Sequence, residues 1–304
     1  MKALVLLNMG GARSKDELKT FLLNMFNDKN ILTMQSDKFR SILANFITNS
    51  RLDKAWENYE QIGGKSPLHQ YTEQLVEILN TQLDNYKVFY VMRYTQPFAT
   101  DIIAQIQQQN IHEVVLLPLY PQYSTTTTKS SIDDFVDISK NLFDISIIEP
   151  FYKNEIYNNA ICDTLQQLQN EDNQYYVIFS AHGLPQKIIN KGDPYEDQLK
   201  EHIQILKQKL KNLPVQFQGV FLAYQSKVGP MKWLEPSLDW MLPFFKNKKV
   251  IVYPISFMID NSETVFELSI EYEHLAMQSG LKEYKVAPCL NSTPQMIDII
   301  KDII

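Results

Sequence analysis

His182 stands just past an apolar run, between Ala181 and Gly183, with Pro185 ending the segment three residues later. Imidazole titrates near neutral pH and binds borderline transition metals through a ring nitrogen, so this placement suits proton transfer or metal delivery. A bland alternative is a histidine satisfied by a neighbouring carbonyl. A second group is Asp260-Asn261-Ser262-Glu263-Thr264-Val265-Phe266-Glu267, continuing to Glu271. Glu263, Glu267 and Glu271 recur every four residues and line one face of a helix. Asp260 and Glu263 also read as a D-x-x-E capping box, and a solvated acidic face would account for the stripe. The chemical reading is a carboxylate relay that passes protons or divalent cations.

Aromatic and soft side chains sit among polar turns that follow the apolar runs: Met9, Tyr94, Tyr120, Tyr123 and Trp233. They suggest a wide apolar slot for a flat ligand, against the commoner reading of core aromatics. Arg51, Arg93, Ser66 and Gln225 could hold carboxylates, arginine through a bidentate pair, or be solvated surface. Gly63-Gly64-Lys65-Ser66 looks like the tail of a phosphate loop. That pattern needs a glycine where Tyr59 stands, and Pro67 follows in place of a helix start. A nucleotide loop is therefore not expected.

Positioning these groups falls to short apolar blocks: Ala3–Leu7, Val88–Met92, Val114–Leu117, Ile145–Ile148, Tyr175–Phe179, Phe217–Leu222, Val250–Tyr253 and a weaker one at Tyr284–Ala287. None alternates with period two, as befits parallel strands covered on both faces. Helical periodicity marks Lys15–Phe26, Gln70–Leu83, Ala99–Gln108, Tyr157–Leu168, Glu196–Lys211 and Glu263–Gln278. The alternation predicts an α/β protein of two similar Rossmann-like, doubly wound domains, each a parallel sheet flanked by helices. The first spans 1–150 and the second 151–304, its last helix free to pack back on the first. An excess of residues around 21–64 reads as a lid inserted after the first strand. On helix Lys15–Phe26 the apolar residues default to core, with an exposed lip where that face belongs to the lid.

With 304 residues and a net charge of −6, the chain has length for a substantial core and no basic run. A nucleic-acid binder dominated by phosphate contacts is unlike this. Two cysteines, Cys162 and Cys289, exclude a disulfide framework and a site needing four cysteine ligands. The opening Met1–Leu7 mimics a signal peptide but reads as a buried strand, and no apolar stretch reaches the ~20 residues of a membrane span. A soluble, cytoplasmic protein is expected.

Seven motifs in order carry a resemblance: Leu7-Asn8-Met9-Gly10-Gly11, Ile62-Gly63-Gly64-Lys65-Ser66-Pro67, Tyr120-Pro121-Gln122-Tyr123-Ser124, Phe179-Ser180-Ala181-His182-Gly183-Leu184-Pro185, Gly192-Asp193-Pro194-Tyr195, Gln225-Ser226-Lys227-Val228-Gly229-Pro230, and Asp260 to Tyr272. Over essentially its whole length the sequence resembles the ferrochelatases, of chelatase-like fold, which insert Fe2+ into protoporphyrin IX at the terminal step of haem synthesis. The resemblance implies that His182 and Glu263 form the catalytic metal-site pair and that Asp260, Glu267 and Glu271 form a conduit. It implies propionate contacts at Arg51, Ser66 and Gln225, with Tyr59 nearby, and a macrocycle wall of Met9, Arg93, Tyr120 and Trp233. Leu22, Met25 and Ile31 match the apolar lip, through which peripheral membrane contact is implied. Protoporphyrin and Fe2+ are the implied partners, with no permanently bound cofactor and no nucleic acid.

Three departures from the family pattern stand out. Gly183 replaces a frequent serine, Asn261 a frequent histidine, and no cysteine-bearing extension follows Ile304, so no iron–sulfur cluster is expected. Rival readings are a coproporphyrin ferrochelatase, a Co2+ or Ni2+ chelatase, since affinity generally follows the Irving–Williams order, and a haem or porphyrin carrier without turnover. The relay of His182 with Glu263, Glu267 and Glu271 argues against a carrier.

Overall fold

A computed structural model describes residues 1–34, 36–169, 174–227, 229 and 231–304. Val228 and Pro230 of the Gln225–Pro230 motif lie outside the described residues. The chain forms two compact units. One comprises Met1–Tyr120 and Ser124–Glu149 with Ile304, the other Pro121–Tyr123 and Pro150–Ile303.

The first unit contains β1 (Lys2–Asn8), α1 (Lys15–Asn27), α2 (Asp37–Glu60), α3 (Leu68–Gln82), β2 (Tyr86–Met92), α4 (Ala99–Gln108), β3 (Glu113–Pro118), α5 (Ser130–Ser139) and β4 (Asp144–Ile147). Its sheet runs β2-β1-β3-β4, every pair parallel. Ala3–Leu7 are all buried, because helices cover both faces of β1, as an uninterrupted apolar run requires. One face packs on Ile102, Ile103 and Ile106 of α4 and Phe135 of α5.

The second unit contains α6 (Glu155–Gln169), β5 (Tyr175–His182), α7 (Gln186–Ile189), α8 (Tyr195–Lys211), β6 (Gly219–Gln225), α9 (Leu238–Met241), β7 (Lys249–Pro254), a π-helix (Glu263–Glu271), α10 (Tyr272–Gln278), β8 (Glu283–Val286) and α11 (Pro294–Ile303). Its parallel sheet runs β6-β5-β7-β8, the same order as in the first unit. The C-terminal helix α11 packs on α6 within this unit.

Residues 21–64, read as a lid, contain α1's body and the 24-residue α2, which the sequence periodicity did not mark. Ser14 and Ser36 cap the two helices by accepting from the amides of Glu17 and Phe39. α1 and α2 pack together over Leu18, Leu22, Phe26, Ala44 and Tyr59. Leu22 is thus a core residue, 8% exposed, and not part of an open lip, whereas Met25 and Ile31 are half-buried. Exposed apolar area lies on the opposite face of α2, where Phe39, Ile42 and Phe46 are 65%, 66% and 71% exposed.

Candidate active site

His182 is the last residue of β5, a central strand of its sheet. Open α/β sheets present their ligands beyond the carboxyl ends of such strands. Its Nδ1 lies 2.8 Å from Glu263 Oε2, and the two side chains are 36% and 33% exposed. Burial alone would lower the imidazole's pKa, but the Glu263 carboxylate outweighs it and the net shift is upward. The same pairing holds Glu263 below its usual range against the opposing effect of burial.

The segment carrying Glu263 is not the α-helix that its spacing predicts. Glu263–Glu271 is a π-helix, with α-helix resuming only at Tyr272. Such wide turns are uncommon and recur at functional sites. The Ser269 hydroxyl donates to the Thr264 carbonyl across the same five-residue step, at 2.8 Å. Nor does the capping box form. Asp260 Oδ1 accepts from Thr264 Oγ1 and its Oδ2 from Asn291 Nδ2, while Asn261 Oδ1 accepts from the Glu263 amide. The Glu263 side chain is thereby left to reach His182.

Glu267 joins the pair through the end of β6. Ser226 donates its amide to Glu267 Oε1 at 2.7 Å, and its hydroxyl reaches Glu267 Oε2 and, at 3.0 Å, Glu263 Oε2. Ser226 adopts a φ of 64° to do so, a left-handed conformation that a non-glycine residue pays for in strain. Burial and the charge of Glu263 push the Glu267 pKa up to about 7. Glu271, at the π-helix's far end, is exposed. Of the acidic series, then, Glu263 and Glu267 converge on His182, Asp260 is held in the turn before the π-helix, and Glu271 faces solvent. Among the described residues, no group of three or more His, Cys, Asp or Glu gathers so as to hold a metal ion.

Gln225, expected at a propionate, lies among these carboxylates instead. Its Oε1 accepts from Ser180 Oγ at 2.7 Å, which fixes the amide orientation. Its Nε2 points at Glu263 and Glu267, at 3.4 and 3.3 Å. Both ends of the buried amide are thus committed within the second unit. Trp233 lies beside Gly183: a Cβ there would meet Trp233 Cε3 at 3.4 Å and the Gln225 carbonyl oxygen at 2.7 Å.

In the first unit, Met9 follows β1, and its carbonyl accepts from the Tyr94 amide. Tyr120 is buried, its hydroxyl 3.0 Å from Ser131 Oγ. Ser66 is 3% exposed and is seated against Gly11, where a Cβ would come within 2.6 Å of its Oγ. Tyr59 turns its hydroxyl to the Ala12 amide. Arg51 stacks on Phe26, its guanidinium carbon 5.9 Å from the ring centre, and burial lowers its pKa. No carboxylate among the described residues pairs with it.

Arg93 is the opposite case. Nη2 meets Asp28 at 3.1 Å, Nη1 meets Asp134 at 3.2 Å, and Nε donates to Ser130 Oγ at 3.0 Å. Tyr94 and Ser130 also donate to Asp28. Two carboxylates already neutralise this guanidinium and engage three of its five N–H donors, so of the two arginines Arg51 is the one left for a ligand carboxylate. Nothing in the sequence pattern singles out Asp28 or gives Ser226 a contact. Ser226 stands within the Gln225–Pro230 motif, but the spacing alone assigns it no partner.

The ferrochelatase family profile matches residues 1–304. A ferrochelatase of Nitratiruptor sp. is 50% identical over 308 residues, covering 100% of this chain and 99% of that protein. One from Sulfurimonas denitrificans is 46% identical over 308 residues, covering 99% and 98%. The chain belongs to the ferrochelatase family. As a ferrochelatase it is a lyase of haem biosynthesis, a metal chelatase that acts on a porphyrin with Fe2+ as its substrate. Its fold is also that of solved chelatases: SirB from Bacillus subtilis with Fe3+ aligns at TM-score 0.62 and 10% identity, over 100% of this chain and 94% of that one. A cobalt complex of the sirohydrochlorin chelatase SirB from B. subtilis subspecies spizizenii aligns at TM-score 0.57 and 9% identity, with the same coverage.

Proposed function

We propose that this ferrochelatase uses protoporphyrin IX and carries out insertion at His182 and Glu263. The observation that carries the reading is the 2.8 Å contact between His182 Nδ1 and Glu263, made at the end of a central strand and backed by Glu267. Insertion removes two pyrrole N–H protons as Fe2+ sheds water. His182 takes a proton from the macrocycle or guides the metal. Glu263 accepts that proton from His182, and Glu267, its pKa pushed up to about 7 by burial and the charge of Glu263, takes the proton onward. Asp260 and Glu271 complete the conduit at either end of the π-helix, Asp260 by fixing the turn and Glu271 by opening to solvent. Two protein donors hold Fe2+ only loosely, which suits a metal that is passed on to the ring nitrogens.

Arg51, half-buried and without a carboxylate partner among the described residues, is the anchor for a porphyrin propionate, with Ser66 and Tyr59 assigned to the same group. Met9 and Tyr120 of the first unit and Trp233 of the second are the flat and soft residues assigned to the macrocycle, while Arg93 and Gln225, each engaged by carboxylates within its own unit, stiffen their own surroundings rather than bind. Met9 and Tyr94 resemble the residues of protoporphyrin-using ferrochelatases more than those of coproporphyrin-using ones. We place the protein in the cytoplasm, docked on a membrane surface through the exposed face of α2. No helix among the described residues is long and apolar enough to cross a membrane.

Anaerobic Fe2+ insertion into protoporphyrin IX and coproporphyrin III, with His182→Ala and Glu263→Gln alongside, tests the reading. Turnover with protoporphyrin and a loss of ~100-fold or more in both variants is expected, the scale of a lost acid–base group. Faster turnover with coproporphyrin would reassign the substrate. Porphyrin binding without turnover would leave a carrier.

A further inference from the structure

In a parallel sheet, alternate residues of a strand turn both their N–H and their C=O toward the same neighbour. Along the end of β5, Ser180 faces β7, since its carbonyl accepts from the Ile255 amide at 3.0 Å, and Gly183 faces β6, donating to the Gln225 carbonyl at 2.9 Å. His182, two residues beyond Ser180, therefore turns toward β7. But β7 ends at Pro254, whose partner is Ser180. No strand is left to take the two main-chain groups of His182, and unpaired buried backbone groups are costly.

Two side chains replace the missing strand. The His182 amide donates to Ser256 Oγ at 3.2 Å. Tyr195 Oη donates to the His182 carbonyl at 3.0 Å, and Tyr195 Oη and Ser256 Oγ are 2.7 Å apart. With the tyrosine proton given to the carbonyl, Ser256 donates to Tyr195, and a ring closes: His182 N–H to Ser256, Ser256 to Tyr195, Tyr195 to His182 C=O. Tyr195 is buried, and burial keeps its phenol protonated and able to donate. Its own place is fixed at the start of α8, where Asp193 Oδ1 accepts from its amide at 3.0 Å. Phe257, next to Ser256, meets the His182 imidazole edge-on at 6.5 Å. One turn thus steadies both the main chain and the ring of His182.

We infer that Tyr195 and Ser256 are positioning residues for His182, substituting for a strand so that the imidazole at the end of β5 is held at one place relative to Glu263. The inference rests on the assignment of insertion chemistry to His182. It also gives the Gly192-Asp193-Pro194-Tyr195 motif a physical task, since Asp193 sets the tyrosine and the tyrosine sets the histidine.

Tyr195→Phe, Ser256→Ala, the double variant and Ser256→Thr separate this role from a general contribution to folding. In anaerobic Fe2+ insertion, Tyr195→Phe and Ser256→Ala are each expected to lower kcat by ~10–100-fold, the cost of misplacing a reacting group by about an ångström. KM for porphyrin should stay within about twofold, because neither residue binds it. The double variant should be no worse than the poorer single variant, since either substitution opens the ring. Ser256→Thr, which restores the hydroxyl, should recover most of the rate.

Amide hydrogen exchange at His182 gives a readout that needs no turnover, and should accelerate at least ~10-fold in both single variants. Rates within about threefold of wild type, loss that appears equally in KM, or unchanged exchange at His182 would each overturn the inference. Should Tyr195→Phe not fold, Ser256→Ala against Ser256→Thr decides alone. A wild type that exchanges as expected yet inserts no iron would overturn the functional reading and leave the main-chain clamp standing.

Discussion

Glu263 and Glu267 share the Ser226 hydroxyl and differ in what else surrounds them. Glu263 faces the imidazole of His182, whose positive charge keeps its carboxyl ionised. Glu267 has burial and a neighbouring negative charge, and these push it up to about 7. Two similar groups are driven apart by environment, the arrangement that lets one carboxylate stay charged while its neighbour accepts a proton. A relay acceptor must be ionised, and Glu267 becomes protonated as pH falls through about 7. The insertion rate should therefore drop on the acid side of that value. Glu267→Gln should flatten the step and lower kcat by ~10–100-fold throughout, measured as a pH–rate profile at saturating porphyrin. Beside the same histidine, Gly183 has no room to grow. A Cβ would sit 2.7 Å from the Gln225 carbonyl oxygen, so the backbone of β6 must shift to admit it. Gly183→Ser is expected to cost about 1–3 kcal/mol, the usual range for overpacking, read from urea unfolding against wild type.

At the scale of elements, α8 is tied down by a histidine of another kind. His202 is fully buried, its Nδ1 accepting from Gln122 Nε2 and its Nε2 donating to Asn158 Oδ1, each at 3.0 Å. Desolvation drives its pKa down to about 3. Below pH 6.5 the unfolded chain takes up a proton that the native imidazole refuses, so stability falls as the pH is lowered from 6.5 toward 3. The slope is about 1.4 kcal/mol per pH unit for this one group. In urea titrations at pH 7.5, 6 and 5, His202→Gln should start less stable, by about 1–3 kcal/mol, and lose less than wild type on acidification.

Neither network could be read from spacing, since Gln122 and His202 are 80 residues apart in sequence. The central strands, by contrast, were legible, because burial on both faces leaves a local mark, an unbroken apolar run such as Ala3–Leu7; the edge strand β4 is mostly exposed and showed only a short run around Ile145–Ile148. Helix α2 was not, as Phe39, Ile42 and Phe46 place apolar residues on its solvent face and blur the periodicity that burial of Ala44 and Thr48 would show. The acidic repeat of Glu263, Glu267 and Glu271 was visible as a pattern, but spacing assumes an α-helical turn. The π-helix brings only the first two to His182. His182 with Glu263 was legible as a pair through the ordered motifs. Arg93 was indistinguishable from Arg51 until Asp28 and Asp134 appeared around it.

Across the whole molecule, charge and apolar surface bear on where the protein works. Both units are built on the same parallel order, with the first strand of each flanked by the second and third, and polar groups gather at the carboxyl ends. The first unit adds a helix pair whose inner face closes a core and whose outer face exposes Phe39, Ile42 and Phe46 on α2 at the i, i+3, i+7 spacing of a single stripe. A helix lying in a membrane interface binds through buried apolar area, supplemented by basic residues where the lipid is anionic. A net charge of −6 gives this chain no general attraction to an anionic surface. Attachment should then be apolar in origin: binding to neutral phosphatidylcholine vesicles should persist when salt is raised enough to screen surface charges. Replacing Phe39, Ile42 and Phe46 together by serine should release the protein from the vesicles, because each aromatic or aliphatic side chain contributes about 1.5–3 kcal/mol when fully buried. The same triple variant should retain its kcat for porphyrin dispersed in detergent, as the stripe lies on the face of α2 away from the α1 core. Vesicle flotation of wild type and variant at low and high salt measures this. Release of the wild type by salt would mean that basic side chains carry the contact, and no binding in either condition would mean that α2 does not dock on lipid.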